Sequence, residues 1–190
     1  MRECGEYNRT NIEPRIRKYR ENFTSEQKLS IDRFYKGWDV YQQQLVKLLA
    51  TLSLDQLALR ASPHHWSIGM IATHIVAIRA GWFHMMLGEG SAELAPLAKW
   101  DRSDQPSRTA AEIVTGLEAT WQMIQDALSR WTPADLKQKF QDRWPGVEYR
   151  GDEPWYSRQW VIWHVLEHDL LYGGELSLAL GMNGLAAFNL

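Results

Sequence analysis

With 190 residues, 45% of them hydrophobic, the chain has the size of one domain and enough apolar material for a sizeable core. A formal charge of −2 and an isoelectric point near 6.3 give no electrostatic reason to expect nucleic acid or an anionic membrane as a partner. The single cysteine, Cys4, excludes a disulfide framework and a thiolate cluster, so a bound metal must use histidine or carboxylate.

Residues 1–29 mix Arg, Glu and Asn without sustained periodicity and read as an arm ahead of a bundle domain over 30–190. They hold no apolar signal segment, and nowhere do about 18 apolar residues run together, so a soluble cytoplasmic protein is expected. From Ser30 onward, Phe34, Trp38, Tyr41, Leu45 and Leu48 recur at spacings of four and three, which predicts an amphipathic helix ending near Leu52. Ser53 caps a short turn, and Ser67 opens a second long helix with the inward ridge Ile71, His74, Ile78, Trp82 and Met85.

Residues 88–106 are a loop by their Gly, Ser, Asp and Pro content. Thr109 and Glu112 form a capping box for a third helix, with Ile113, Leu117, Trp121, Ile124 and Leu128 inward. Thr132 caps a further short turn with Pro133 at its first position, and residues 142–156 read as a loop carrying a small hairpin. Ser157 starts the last helix, with ridge Val161, His164, His168, Leu171, Glu175 and Leu178, and Gly181 ends it. Four long helices separated by short capped turns predict an all-α four-helix bundle. Trp66 and Trp160 each stand eight residues before a histidine, His74 and His168, a weak internal echo that makes Met70 the counterpart of His164.

His164 and His168 are four apart, so they stack on one helix face about 40° apart around the axis. With His74 on the second helix they form three inward imidazoles whose ring nitrogens need partners. A shared divalent ion accounts for all three; the alternative is three core histidines bonded to separate local acceptors. Imidazole suits Ni, Zn, Cu or Fe(II), and three neutral ligands leave a position open for water or substrate. Glu175, on the same ridge, could orient a ligand or relay a proton. The run His164–Val165–Leu166–Glu167–His168 also fits the H-x-x-E-H pattern of inverzincin proteases, but a short bundle offers no strand edge or second lobe to build the cleft that an extended peptide needs. His64, His65 and His84 read as surface or rim residues.

The run from Trp160 to Leu170 with Gly173, Gly174 and Glu175 after it, and the segment Trp66–Ser67–Ile68–Gly69 leading to His74, resemble the DinB/YfiT-like metalloenzyme family. The resemblance covers most of the chain from Ser30 and implies a four-helix bundle binding one divalent metal, commonly Ni or Zn, through His74, His164 and His168. Relatives often carry a further histidine where this chain has Tyr172, which bears on substrate chemistry rather than on the ligands. Characterised relatives include transferases and isomerases that use low-molecular-weight thiols such as bacillithiol or mycothiol. Dimerisation is typical of them, although the sequence marks no interface.

Three functions follow as expectations. The first is a metal-dependent enzyme that activates a small thiol, with Met70, Trp144, Arg150 and Tyr172 as its pocket, Arg143 and Arg158 holding carboxylates, and Trp155 as a further wall. The second is a metal-dependent hydrolase in which Glu167 or Glu175 relays the proton from water. The third is a non-enzymatic bundle that binds a metal or small ligand.

Overall fold

The computed structural model describes residues 31–142, 148 and 151–188. The arm over 1–29, together with Arg143, Trp144 and Arg150, therefore lies outside the described residues. Four long helices build the molecule: α1 (Lys36–Leu49), α2 (Ile68–Arg79), α3 (Ala110–Arg130) and α4 (Arg158–Met182). Shorter pieces are a single helical turn over Leu54–Ala58, a 3₁₀ segment over Ala92–Lys99, and an antiparallel pair of β1 (Lys139–Gln141) with β2 (Trp155–Ser157). Among the described residues, no helix is long and apolar enough to cross a membrane.

The helix starts are set by local chemistry. Ser53 and Gln56 close one capping box and Thr109 and Glu112 another, each satisfying two backbone amides that the first turn leaves orphaned. Ser67 and Ser157 cap α2 and α4 by accepting from the amides of Met70 and Trp160. At residues 132–137 the direction is reversed: Thr132 does not cap, but donates its amide and hydroxyl to the carboxylate of Asp135, at 2.8 and 2.7 Å. The last helix runs through Gly181 to Met182, and Gly184 at φ +71° takes the left-handed position beyond its end.

Helix α2 lies at the centre, packed chiefly against α4 and α3, and it is buried almost all round. It runs on through a π-helical turn over Ala80–Met86, where Leu87 donates to the Trp82 carbonyl five residues back. The wider turn rotates Phe83 into full burial and leaves Met85 only partly covered, which a constant helical period does not anticipate. On α3 the predicted ridge is buried throughout.

Two of the other ridges are corrected. Phe34 is 76% exposed, and on α4 Leu171 and Leu178 are more than half exposed. The buried stripe of α4 is Val161, Val165, Asp169, Gly173, Leu176 and Leu180. It is selected by shape and charge on the facing helices, and the histidine stripe lies along its edge.

The apolar core falls into two clusters. One is built around Phe83, Ile124 and Val165, the other around Leu45, Ile75 and Leu117. Between them all four helices contribute a buried polar residue: Gln42, Arg79, Thr120 and Asp169. Arg79 and Asp169 are fully buried and bonded side-on, and Tyr41 donates to the Asp169 carbonyl at 3.1 Å.

Gly173 makes that Tyr41 contact possible, because a Cβ there would lie 1.7 Å from the tyrosine oxygen, whereas a Cβ on Gly174 would meet nothing. Gly173→Ala is therefore expected to destabilise the fold by about 1–3 kcal/mol through overpacking. Gly174→Ala should stabilise it by up to about 1 kcal/mol through helix propensity. Urea melts of the two variants check the pair; equal effects would mean that α1 and α4 do not meet at Gly173.

Candidate metal centre

The antiparallel seam of α2 and α4 is lined with rings. Tyr156, Trp160, His164, His168 and Tyr172 follow one another at four-residue steps, with centroids 4.0, 4.5, 4.4 and 5.5 Å apart. A four-residue step overshoots the 3.6-residue turn by about 40°, so the ladder winds around α4 instead of running along its buried stripe. From α2, Trp82 meets His164 edge-on at 4.7 Å, and His74 meets Tyr172 at 4.4 Å and His168 at 5.9 Å. Trp66, just ahead of α2, packs on His74 at 5.0 Å and stacks on Tyr172 at 5.7 Å.

His74 is the most buried of the three histidines. Its Nδ1 pairs with the carboxylate of Asp101 at 2.8 Å, while its Nε2 is buried without a partner. The Nδ1 of His168 is likewise buried and unpartnered. An imidazole anchored through one nitrogen by a carboxylate, with the other nitrogen free, is the arrangement that orients a histidine toward a metal. Asp101 was not legible in the sequence: it is 27 residues from His74, in a stretch read as a plain loop.

The donor chemistry thus fits a divalent ion, and His168 has a histidine neighbour on either side. Metal–nitrogen bonds of about 2.0–2.1 Å require one nitrogen of each ring to converge on a common point. Among the described residues, no group of three or more His, Cys, Asp or Glu side chains is already gathered closely enough to hold an ion. His164 is gripped between Trp160 and Trp82, so ligation by all three imidazoles requires side-chain rotation from the arrangement present.

The other expected site residues are dispersed. Glu167 is exposed on the outer side of α4, where it acts on His164 and His168 only through its charge. Glu175 is half-buried and, with Asp101, helps to hold the Tyr172 hydroxyl above its ordinary range, although burial is the larger cause. Met70 faces a separate cavity beside the short turn Leu54–Ala58. Arg158 stacks on Trp131 and Phe140 and bonds to Gln138, with Glu89 at 4.0 Å. Trp155 is 59% exposed on β2. His84 bonds to the Glu89 carbonyl and His65 to Ser62, away from the cluster.

Burial holds the His164 and His168 imidazoles below the ordinary histidine range, and for His168 the neighbouring His164 and His74 act in the same direction. Both are therefore neutral at pH 7, as ligands must be. The sign for stability follows: below about pH 6.5 the unfolded chain takes up protons that these rings resist in the folded state. Stability of the metal-free protein should hold above that pH and fall as pH drops through it. Thermal melts in chelator from pH 7.5 to 5 test this, and the slope should flatten in the His164→Gln/His168→Gln variant; an unchanged slope would count against it.

A profile of the DinB superfamily matches residues 38–175, well over half of the chain. The chain belongs to the DinB superfamily. A crystal structure of a DinB-like protein from Bacillus cereus ATCC 10987 is similar, with a TM-score of 0.60 at 20% identity, covering 86% of this chain and 99% of that one. At that identity the likeness speaks for the DinB fold alone. No curated protein matches the sequence. The matched span contains His74, His164, His168, Tyr172 and Asp101, so the ring-lined seam lies wholly inside the DinB portion.

Proposed function

We propose that this DinB protein holds one divalent ion, Ni or Zn, through His74, His164 and His168, and uses it to activate a low-molecular-weight thiol for transfer to an electrophilic small molecule. The observation that carries the reading is the buried, unpartnered Nε2 of His74 on a ring whose Nδ1 is fixed by Asp101. A buried imidazole nitrogen without a partner is costly, and a ligated ion removes that cost.

An ion held by these three histidines would supply Lewis acidity that lowers the pKa of a thiol bound to it, giving a nucleophile at neutral pH. The chain's own residues then position the reactants. Asp101 keeps His74 turned into the seam. Tyr172, whose hydroxyl is held protonated, stands at the rim beside His74 and His168 as a hydrogen-bond donor, and Trp66 forms the wall behind it.

Thiol activation is favoured over water activation by the placement of the acids. Asp101 is engaged by His74, Glu167 is exposed, and the charge of half-buried Glu175 acts on Tyr172 but not on His164 or His168, so none of the three is poised beside the histidines to take a proton from water. Trp144 and Arg150, the other residues expected in the pocket, lie outside the described residues.

Co(II)-loaded protein tests the proposal. Titration with cysteine or 2-mercaptoethanol should produce a sulfur-to-cobalt charge-transfer band in the near ultraviolet, absent from His168→Ala. A Co(II) spectrum indifferent to thiols would overturn the thiol reading. Failure of the purified wild type to take up Ni, Zn or Co at all would overturn the metal.

A further inference from the structure

Beyond the seam, the structure holds a cavity of about 240 Å³ between the short turn Leu54–Ala58, the start of α2 and the segment 100–108. Three arginines line it, Arg60, Arg102 and Arg108, together with Trp100, Met70 and Thr73. We propose that this cavity is a binding site for a small anion bearing carboxylate or phosphoryl groups, distinct from the metal centre.

The charges there are only partly compensated, Arg108 by its ion pair with Glu112. Arg60 bonds only to the neutral carbonyl of His65, at 2.5 Å, and neither Arg60 nor Arg102 has an acidic partner among the described residues. Arg108 is four-fifths buried and stacks its guanidinium on Trp100 at 4.8 Å, which fixes the plane of its donor fork. Its terminal nitrogens make only long contacts, 3.4 Å to Glu112 and 3.3 Å to Gln105, and its Nε is buried with no partner at all. Glu112 makes its shorter bonds, at 2.8 Å, to the amide and hydroxyl of Thr109 in the α3 cap, which also hold its carboxyl below the usual range.

Arg60 and Arg102 are exposed residues of the cavity lining and Arg108 is partly withdrawn from solvent, its ion pair to Glu112 a long one at 3.4 Å, so the three add a positive potential that an anion would neutralise. The terminal nitrogens of a guanidinium, held here only by those long contacts, offer the paired donors that carboxylate and phosphate oxygens accept. The first turn of α2, which also borders the cavity, carries no acidic side chain, so the helix dipole adds to the positive potential. At about 30 Å³ per water, the volume has room for a ligand displacing roughly eight waters, enough for a phosphate ester or a short dicarboxylate.

Isothermal titration of inorganic phosphate and, separately, of succinate into the metal-free full chain at low ionic strength tests the proposal. At least one should bind, with affinity reduced about tenfold or more in Arg102→Gln and in Arg108→Gln and unchanged in Arg33→Gln, an exposed arginine elsewhere. Far-UV circular dichroism of each variant confirms that it is folded, and the phosphate and succinate arms separate a phosphoryl from a carboxylate ligand. The His168→Ala protein should bind the anion as the wild type does, which keeps this result independent of the metal centre. No binding of either anion at millimolar concentration, or equal weakening by Arg33→Gln, would overturn it.

Discussion

Replacing Asp169 with alanine is expected to destabilise the protein by about 3–5 kcal/mol, because it strands a fully buried cation. Arg79 gives Asp169 its Nε at 3.0 Å and a terminal nitrogen at 2.6 Å, and Trp38 adds an indole donor at 2.5 Å. Without the carboxylate, Arg79 keeps only Gln42 at 2.6 Å, the Leu117 carbonyl at 3.4 Å and the Trp121 ring. For a chain of this size the loss corresponds to a fall in melting temperature of roughly 6–20 °C.

The pair's net worth is a different quantity from the cost of breaking it. Desolvation offsets much of the Coulomb attraction, so Arg79→Met combined with Asp169→Leu should recover a large part of what Asp169→Ala loses. Calorimetry of the three proteins decides the matter. A double variant as unstable as the single one would mean that the hydrogen bonds, rather than the unpaired charge, dominate.

The second large effect concerns the proposed metal centre. Asp101→Ala should weaken Zn or Ni binding by about 10–100-fold while leaving the ligand set intact, since a carboxylate behind a histidine orients the ring and raises its basicity. His74→Ala should abolish binding altogether. Competition against a chromophoric chelator measures both. Wild-type affinity in Asp101→Ala would reduce the aspartate to a surface partner of His74, and the assignment of His74 as an oriented ligand would fall with it.

The sequence disclosed most where the chemistry is local. A serine or threonine ahead of an apolar period satisfies amides two or three residues on, and four helix starts could be read from Ser53, Ser67, Thr109 and Ser157. The α3 ridge was equally legible because its polar and apolar faces are cleanly separated. Helix α4 is different: apolar residues lie on both candidate stripes, and the true one passes through Asp169 and Gly173, which hydrophobicity discounts. Only the facing Arg79 and Tyr41 select it.

The three histidines were found by spacing, and they do meet along one seam. Asp101 escaped because nothing in a 27-residue separation encodes a contact made by loop geometry. The π-turn after Arg79 escaped because no residue pattern marks it, and it is what carries Phe83 into the core beside Trp131.

The buried polar layer of Gln42, Arg79, Thr120 and Asp169 also bears on how the molecule opens. A continuous apolar core tends to be lost as one unit, whereas two apolar halves joined by a directional hydrogen-bonded belt can loosen one at a time. The ring ladder spans that boundary, with Trp160 and His164 against Trp82 in one half and Tyr172 packed with the other. Local opening of either half would thus separate the histidines without unfolding the domain, so the lifetime of an assembled centre is bounded by the weaker half rather than by global stability.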